Sequence, residues 1–255
     1  MPVSVTLDVQ DRGPLRVHCA THFEKFGVNA FVTDRSGGVS DGPYKSLNLA
    51  YHVGDVPANV TENRRRVAKS LSVTLDDLVF VDQVHEDRVV WARRLDAPER
   101  ADALFTSSTD LALAIMVADC VPVLLVDEDS SDFAVLHAGW RGLAGAIVAN
   151  TVRSFDDPAR VHALVGPSIS ATRYQVGPEV AEHFRDVRGA LRDDHDDRSL
   201  LDLRLVAARQ LVDLGLSEAN VAVSAETTDD VATFFSDRAT RPCGRFALVA
   251  QRLPS

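Results

Sequence analysis

The chain has 255 residues, 45% of them apolar, and carries 37 acidic against 27 basic side chains, a formal net charge of −10. A chain of this length builds a full hydrophobic core without disulfide staples. Its acidity excludes a general nucleic-acid binder, because phosphate contacts need a basic face.

Cys19, Cys120 and Cys243 lie far apart and form no CxxC pair, which fits a reducing compartment. Asp8, Asp11, Arg12 and Arg16 occupy the stretch where an export signal needs an apolar core. The longest apolar run, residues 111–126, is broken by Asp119-Cys120 and is too short to span a bilayer. A soluble, cytoplasmic protein with no membrane partner is expected.

In chain order, the alternation Val3, Val5, Leu7, Val9 reads as a strand, which Gly13-Pro14 turns into a second extended piece over 15–20. Residues 33–43 form a loop dense in Ser, Asp and Gly, and a loop this long is more often functional than idle. Residues 57–71 read as a helix. Val60, Val67, Ala68 and Leu71 make its apolar face, and Arg64, Arg65 and Arg66 cover much of the rest. Strands follow over 78–84, closing at His85, and over 89–92.

Residues 111–118, 121–126 and 133–136 are apolar, β-branched runs, the pattern of strands buried on both faces. A helix is predicted over 143–155, a strand over 163–165, a short helix over 178–184 and a longer one over 201–214. The run Asp193-Asp194-His195-Asp196-Asp197 reads as a solvated loop between helices. Late strands fall at 221–223 and 246–250. Strands and helices intermix without a regular βαβ beat. The expected fold is therefore α+β, a single domain over residues 1–255 with mixed β-sheets flanked by helices.

Buried strands that end in reactive side chains carry the chemical signal. Asp119-Cys120 interrupts an apolar run, His137 ends the next strand ahead of Gly139 and Gly142, and His85 closes an earlier one. Cys, His and His are zinc ligands, and three protein ligands with a fourth position open form a catalytic pattern. Taken singly, such a Cys is a small buried hydrophobe and such a His a hydrogen-bonded core residue. The same atoms also suit a nucleophile pair, Cys120 attacking with His137 or His85 as base. The cluster His18-Cys19-Ala20-Thr21-His22 is weaker, because in a strand His18 and His22 share a face with Ala20 rather than Cys19. Gly37-Gly38 and Gly166-Pro167 fit either ordinary turns or phosphate-cradling backbone.

Several segments read together resemble one family. They are Thr33-Asp34-Arg35-Ser36-Gly37-Gly38-Val39-Ser40, Ser46-Leu47-Asn48-Leu49, His52-Val53-Gly54-Asp55, Asn63-Arg64 and Asp82-Gln83-Val84-His85. They continue through Ala101-Asp102-Ala103, Ala118-Asp119-Cys120-Val121-Pro122-Val123, His137-Ala138-Gly139-Trp140-Arg141-Gly142 and Gly166-Pro167-Ser168-Ile169. This set resembles the laccase-domain family, also called the multicopper polyphenol oxidase-type or peptidoglycan editing factor family (YfiH/YlmD-like). The resemblance runs from Phe31 to the end of the chain.

It implies one zinc per chain held by His85, Cys120 and His137, which are then both metal ligands and catalytic residues. It also implies purine nucleoside chemistry: phosphorolysis of adenosine, inosine, guanosine or methylthioadenosine, and deamination of adenosine. The implied partners are a purine nucleoside and phosphate, with no nucleic acid and no stated oligomeric partner. An open-site zinc acidifies bound water toward neutral pH. Phosphate needs a cationic pocket, for which Arg35, Asn48, Arg64 and Arg141 are the expected contacts. The chain departs from the family pattern at Glu86, where the family carries Gly, and at Glu226-Thr227 in place of Cys-Thr. Ser236-Asp237-Arg238-Ala239 stands in place of Ser-Tyr-Arg-Arg, and Cys243-Gly244-Arg245 in place of Thr-Gly-Arg.

A four-copper oxidase needs a His2Cys site plus about eight further histidines. This chain has eight in total and no His-X-His pair, so copper is the less fitting metal. Two other classes remain open at this level: a Cys–His amide hydrolase or cell-wall precursor editing factor, and a partner-binding protein whose zinc is structural.

Overall fold

The computed structural model describes residues 2–94 and 97–253. The first half carries strands β1 (Val3–Val5), β2 (Asp8–Arg12), β3 (Leu15–Cys19) and β4 (Val28–Thr33), helix α1 (Pro57–Ser70), and strands β5 (Leu78–Phe80), β6 (Val89–Trp91), β7 (Ala103–Thr106), β8 (Ala112–Val117) and β9 (Val121–Asp127). Then come β10 (Phe133–Ala138), α2 (Trp140–Gly145), α3 (Ile147–Val152), β11 (Val161–Val165), β12 (Gln175–Val176) and α4 (Pro178–Ala181). The chain closes with β13 (Leu191–Asp193), β14 (Ser199–Leu201), α5 (Leu203–Asp213), β15 (Val221–Ser224) and β16 (Phe246–Arg252).

The strands form a seven-stranded sheet in the order β1-β15-β11-β9-β10-β7-β6, a six-stranded sheet in the order β2-β3-β4-β16-β8-β5, and a small sheet β12-β14-β13. Both large sheets are mixed: β11 and β15 run parallel, as do β5 and β8, whereas β9 and β10 are antiparallel. Apolar side chains cover both faces of the central strands. Along β9, Val121, Val123 and Leu125 join the core that includes α2, α3 and α5, while Leu124 and Val126 join Leu113, Ile115, Phe246 and Leu248 between the sheets. On the far side of β8, Ala112, Ala114 and Met116 share a core with Val67 and Ala68 of α1. The product is the expected single α+β domain, layered helix, sheet, sheet, helix.

Strands β8 and β9 belong to different sheets, yet only Ala118, Asp119 and Cys120 join them. Asp119 takes φ 93°, a left-handed conformation that lets the chain corner so tightly. This corner is the foundation of the site described below.

Several expectations are corrected. The alternating opening splits into β1 and β2, which join different sheets. The helix expected over 143–155 is two short ones, because Ala146 sits at φ 89° and breaks it. The strand expected over 78–84 ends at Phe80. Asp193–Asp197 is no loop between helices: Asp193 ends β13, and the acidic run forms the tip of the β13–β14 hairpin. The 33–43 loop is pinned structurally, with buried Asn63 of α1 accepting from the Val39 N–H and donating to Ser40 Oγ and the Ser46 carbonyl. A Cβ on Gly38 would strike that same carbonyl, so this glycine serves a close chain crossing. Among the described residues no helix is long and apolar enough to cross a membrane.

Candidate metal centre and cleft

The β8–β9 corner presents Cys120. His137, near the end of β10, pairs in register with Pro122 of β9. His85 comes from the loop after β5, on the side of the other sheet. The Gln83 side chain leads that loop along β8: its Nε2 donates to the Met116 carbonyl at 2.7 Å, and its Oε1 accepts the Met116 N–H at 2.8 Å. The three residues thus converge from the two sheets, not from neighbouring strands of one.

Asp102 ties them together. Its fully buried carboxylate accepts the backbone N–H groups of Val84, His85 and Glu86 at 3.2, 3.0 and 2.8 Å. These bonds hold His85 at φ 62°. The same carboxylate lies 2.7 Å from His137 Nδ1. An ionised carboxylate cannot donate, so Nδ1 carries the proton and Nε2 is left for the site. The donor atoms of His85, Cys120 and His137 all lie within 4.8 Å of one another. Donor atoms this close can share one metal ion, and zinc–nitrogen and zinc–sulfur bonds of about 2.0–2.3 Å would draw them closer together. A Cβ on Gly139 would sit 3.0 Å from Cys120 Sγ and 3.4 Å from His85 Cδ2. Gly139 has an ordinary φ of −75°, so the cluster rather than a turn requires a glycine there.

Burial by itself raises the Cys120 thiol, but the imidazoles of His137 and His85 outweigh it and bring it down to about 6. Burial lowers His137, and the Cys120 thiolate and Asp102 outweigh that and raise it to about 9. Burial also raises Asp102, and its bonds from His137 and the backbone leave it below the usual carboxylate range. A thiolate, an imidazole of fixed tautomer and a second imidazole make a donor set that suits a metal with nitrogen and sulfur preference.

The three donors line a cavity of about 330 Å³, along with Trp140, Tyr174 and four arginines, Arg141, Arg238, Arg241 and Arg245. The Asp119 carboxylate fastens the arginine-bearing segment to the corner, accepting from Thr228 Oγ1 at 2.5 Å, Ser236 Oγ at 2.7 Å and the Arg238 N–H at 2.7 Å. Arg141 stacks over Trp140, its guanidinium carbon 4.3 Å from the ring centre, and Arg238 lies over Tyr174 at 5.1 Å.

Of the four expected substrate contacts, Arg141 lines this cleft and the other three do not. Arg35 donates to the carbonyls of Lys45 and Val231 and stacks on Phe235. Asn48 is fully buried and bonds Ala50, Asp55 and the Arg245 N–H. Arg64 is neither on a solvated face nor in the cleft. It lies between Tyr51 and Phe80, donates to the Leu49 carbonyl at 2.8 Å, and burial brings it down to about 10. Its Nη2 lies 3.5 Å from Sδ of Met116, so it backs the cleft wall. Sequence reasoning missed Asp102 as the tie and Arg238, Arg241 and Arg245 as the wall. Their segment had registered only as a departure from the family pattern.

Residues 29–252 match the family described as multi-copper polyphenol oxidoreductase laccase. The chain belongs to this family. Its relatives include a Streptomyces coelicolor protein named purine nucleoside phosphorylase, 40% identical over 87% of this chain and 94% of the relative. Another is the Escherichia coli purine nucleoside phosphorylase YfiH, 36% identical over 87% of this chain and 92% of the relative. Among solved structures, the Bacillus licheniformis hypothetical protein YfiH superposes with a TM-score of 0.89 at 32% identity, covering 96% of this chain and 99% of that one. Geobacillus stearothermophilus YlmD gives 0.90 at 29% identity, covering 97% and 99%.

Proposed function

We propose that this laccase-family chain is a mononuclear zinc enzyme that cleaves purine nucleosides with phosphate and also deaminates adenosine. The observation that carries the reading is the convergence of His85, Cys120 and His137 on a cleft that also holds arginines and two aromatic rings. Relatives named purine nucleoside phosphorylase support phosphorolysis of purine nucleosides; adenosine, inosine, guanosine and methylthioadenosine are the substrates of this reading.

In phosphorolysis a phosphate oxygen bonds to C1′ of the ribose as the C1′–N9 bond breaks. The electron pair leaves with the purine, which takes up a proton. Arg141 and Arg238 hold the phosphate dianion, and Trp140 and Tyr174 offer flat faces to the base. Asp102 keeps the His137 proton on Nδ1 and the His85 loop in place. A zinc held by His85, Cys120 and His137 would supply Lewis acidity and an open coordination position. Deamination replaces the C6 amino group by a water oxygen and releases ammonia. The three unpaired cysteines fit a reducing compartment, and the activity is assigned to the cytoplasm.

One observation favours a second reading. Asp102, His137 and Cys120 lie in series, the order of a thiol hydrolase triad. His85 has no task in that mechanism, whereas it completes a three-ligand metal site.

The test is metal analysis of purified protein, followed by incubation with adenosine or inosine with and without phosphate. About one zinc per chain, phosphate-dependent release of free base with ribose 1-phosphate, and phosphate-independent ammonia from adenosine are expected. A metal-free protein that releases no base from any of these nucleosides refutes the reading.

A further inference from the structure

Outside the metal triad, the charged side chains of the cleft are four arginines and two carboxylates, Asp119 and Asp237, in a chain whose net charge is −10. The two acids differ in what they face. Asp119 is enclosed by two hydroxyls and a backbone N–H. Asp237 faces two guanidinium groups, with Oδ2 2.6 Å from Arg241 Nε and Oδ1 3.1 Å from Arg245 Nη2. Arg245 is further committed to the carbonyls of Cys243 and Gly244. Arg141, by contrast, makes no hydrogen bond or ion pair among the described residues. Outside the triad the net fixed charge of the cleft wall is therefore two positive, matching one phosphate dianion beside an uncharged nucleoside. A metal dication on the Cys120 thiolate would add one positive charge in wild type and variants alike.

We infer that Asp237 is a specificity-determining residue. Its carboxylate occupies Arg241 and Arg245, leaving Arg141 and Arg238 for a single phosphate. Arg238 Nη1 donates to the Gln175 carbonyl at 3.1 Å, and its other guanidinium N–H groups make no side-chain ion pair among the described residues. The cleft thereby discriminates against anions of higher charge, such as pyrophosphate or a phosphorylated nucleoside arriving beside phosphate. Without Asp237 the wall gains a positive charge, and the Arg241 guanidinium and Nη2 of Arg245 lose their carboxylate partner, which suits a second phosphoryl group. This inference rests on the nucleoside-and-phosphate reading above and names the charge class of substrate that the site accepts.

The experiment is calorimetric titration of the purified, metal-containing protein with inorganic phosphate and with pyrophosphate, metal content being checked after each run. Wild type should bind pyrophosphate no more tightly than phosphate. D237N should shift the affinity ratio about tenfold toward pyrophosphate, and D237E should keep the wild-type ratio. R241Q removes a cation without touching Asp237 and should shift the ratio the other way, so the assignment stays testable if D237N fails to fold. A folded D237N with the wild-type ratio, or R241Q shifting in the same direction as D237N, overturns the assignment alone. Absence of phosphate binding in wild type, together with absence of phosphate-dependent turnover, overturns the nucleoside-and-phosphate reading itself.

Discussion

Replacing Asp102 by asparagine removes one charge and leaves the shape, so it isolates what that charge holds. The carboxylate accepts four N–H groups, from Val84, His85, Glu86 and His137, at 2.7 to 3.2 Å. Hydrogen bonds to a charged group contribute about 1.5–3 kcal/mol each. They converge on one group and are not additive, so their sum overstates the loss. An asparagine amide also turns its NH2 toward groups that donate, leaving a buried donor unpaired at about 1–3 kcal/mol. The expected net destabilisation is about 3–5 kcal/mol, that of removing one partner of a buried charged network.

The His85 loop and the His137 tautomer loosen together, and metal affinity should fall about 10–100-fold. Urea denaturation of the metal-free protein and chelator competition on the loaded protein measure the two effects. The sign of the pH dependence follows from the lowered Asp102 carboxyl. Its contribution is present above the unfolded-state value of about 4 and is lost as pH falls through the lower folded-state value. Wild type should therefore lose stability on acidification more steeply than Asp102→Asn. Unfolding free energies within about 0.5 kcal/mol of each other, with equal metal affinity, would refute the reasoning.

Gly139→Ala should reduce metal affinity at least about tenfold while the fold survives, because its Cβ crowds Cys120 Sγ and His85 but its φ is ordinary; equal affinity by chelator competition would count against the geometry. In metal-free protein, alkylation of Cys120 should rise with pH around a midpoint near 6, well below Cys19 and Cys243, whose thiols burial raises. Bound metal should protect Cys120, and rapid labelling of fully loaded protein would instead support the thiol-hydrolase reading. Arg141→Ala should raise the phosphate KM about 10-fold or more, whereas Arg35→Ala should lower stability and leave that KM alone. Arg64→Ala should cost about 2–3 kcal/mol of stability through its lost carbonyl bond and aromatic packing; an unchanged denaturation midpoint would place its guanidinium elsewhere.

The central strands were legible in the chain because burial on both faces leaves an uninterrupted apolar signature, as in Ala112–Val117 and Val121–Asp127. Helix α1 was legible through its spaced apolar face. The three candidate ligands stood out because a cysteine and two histidines lie at or near the abrupt ends of predicted strands, and the family resemblance grouped them into one set. By itself, then, the sequence determined the α+β class, the buried strands and the identity of three candidate donors.

Tertiary structure alone decided how these pieces meet. Nothing local marks β8 and β9 for different sheets; the left-handed Asp119 does that. Asp102 lies 35 residues from His137 and 17 from His85, and Asp119 reaches across 119 residues to the Arg238 backbone. Hydrogen bonds over such separations leave no periodicity in the chain. Arg64 and Arg141 were both expected as substrate contacts, and only the neighbouring Tyr51, Phe80 and Trp140 separate a wall support from a cleft residue. Local pattern records what each segment must bury, while the partner of a buried polar group is set by where the folded chain returns.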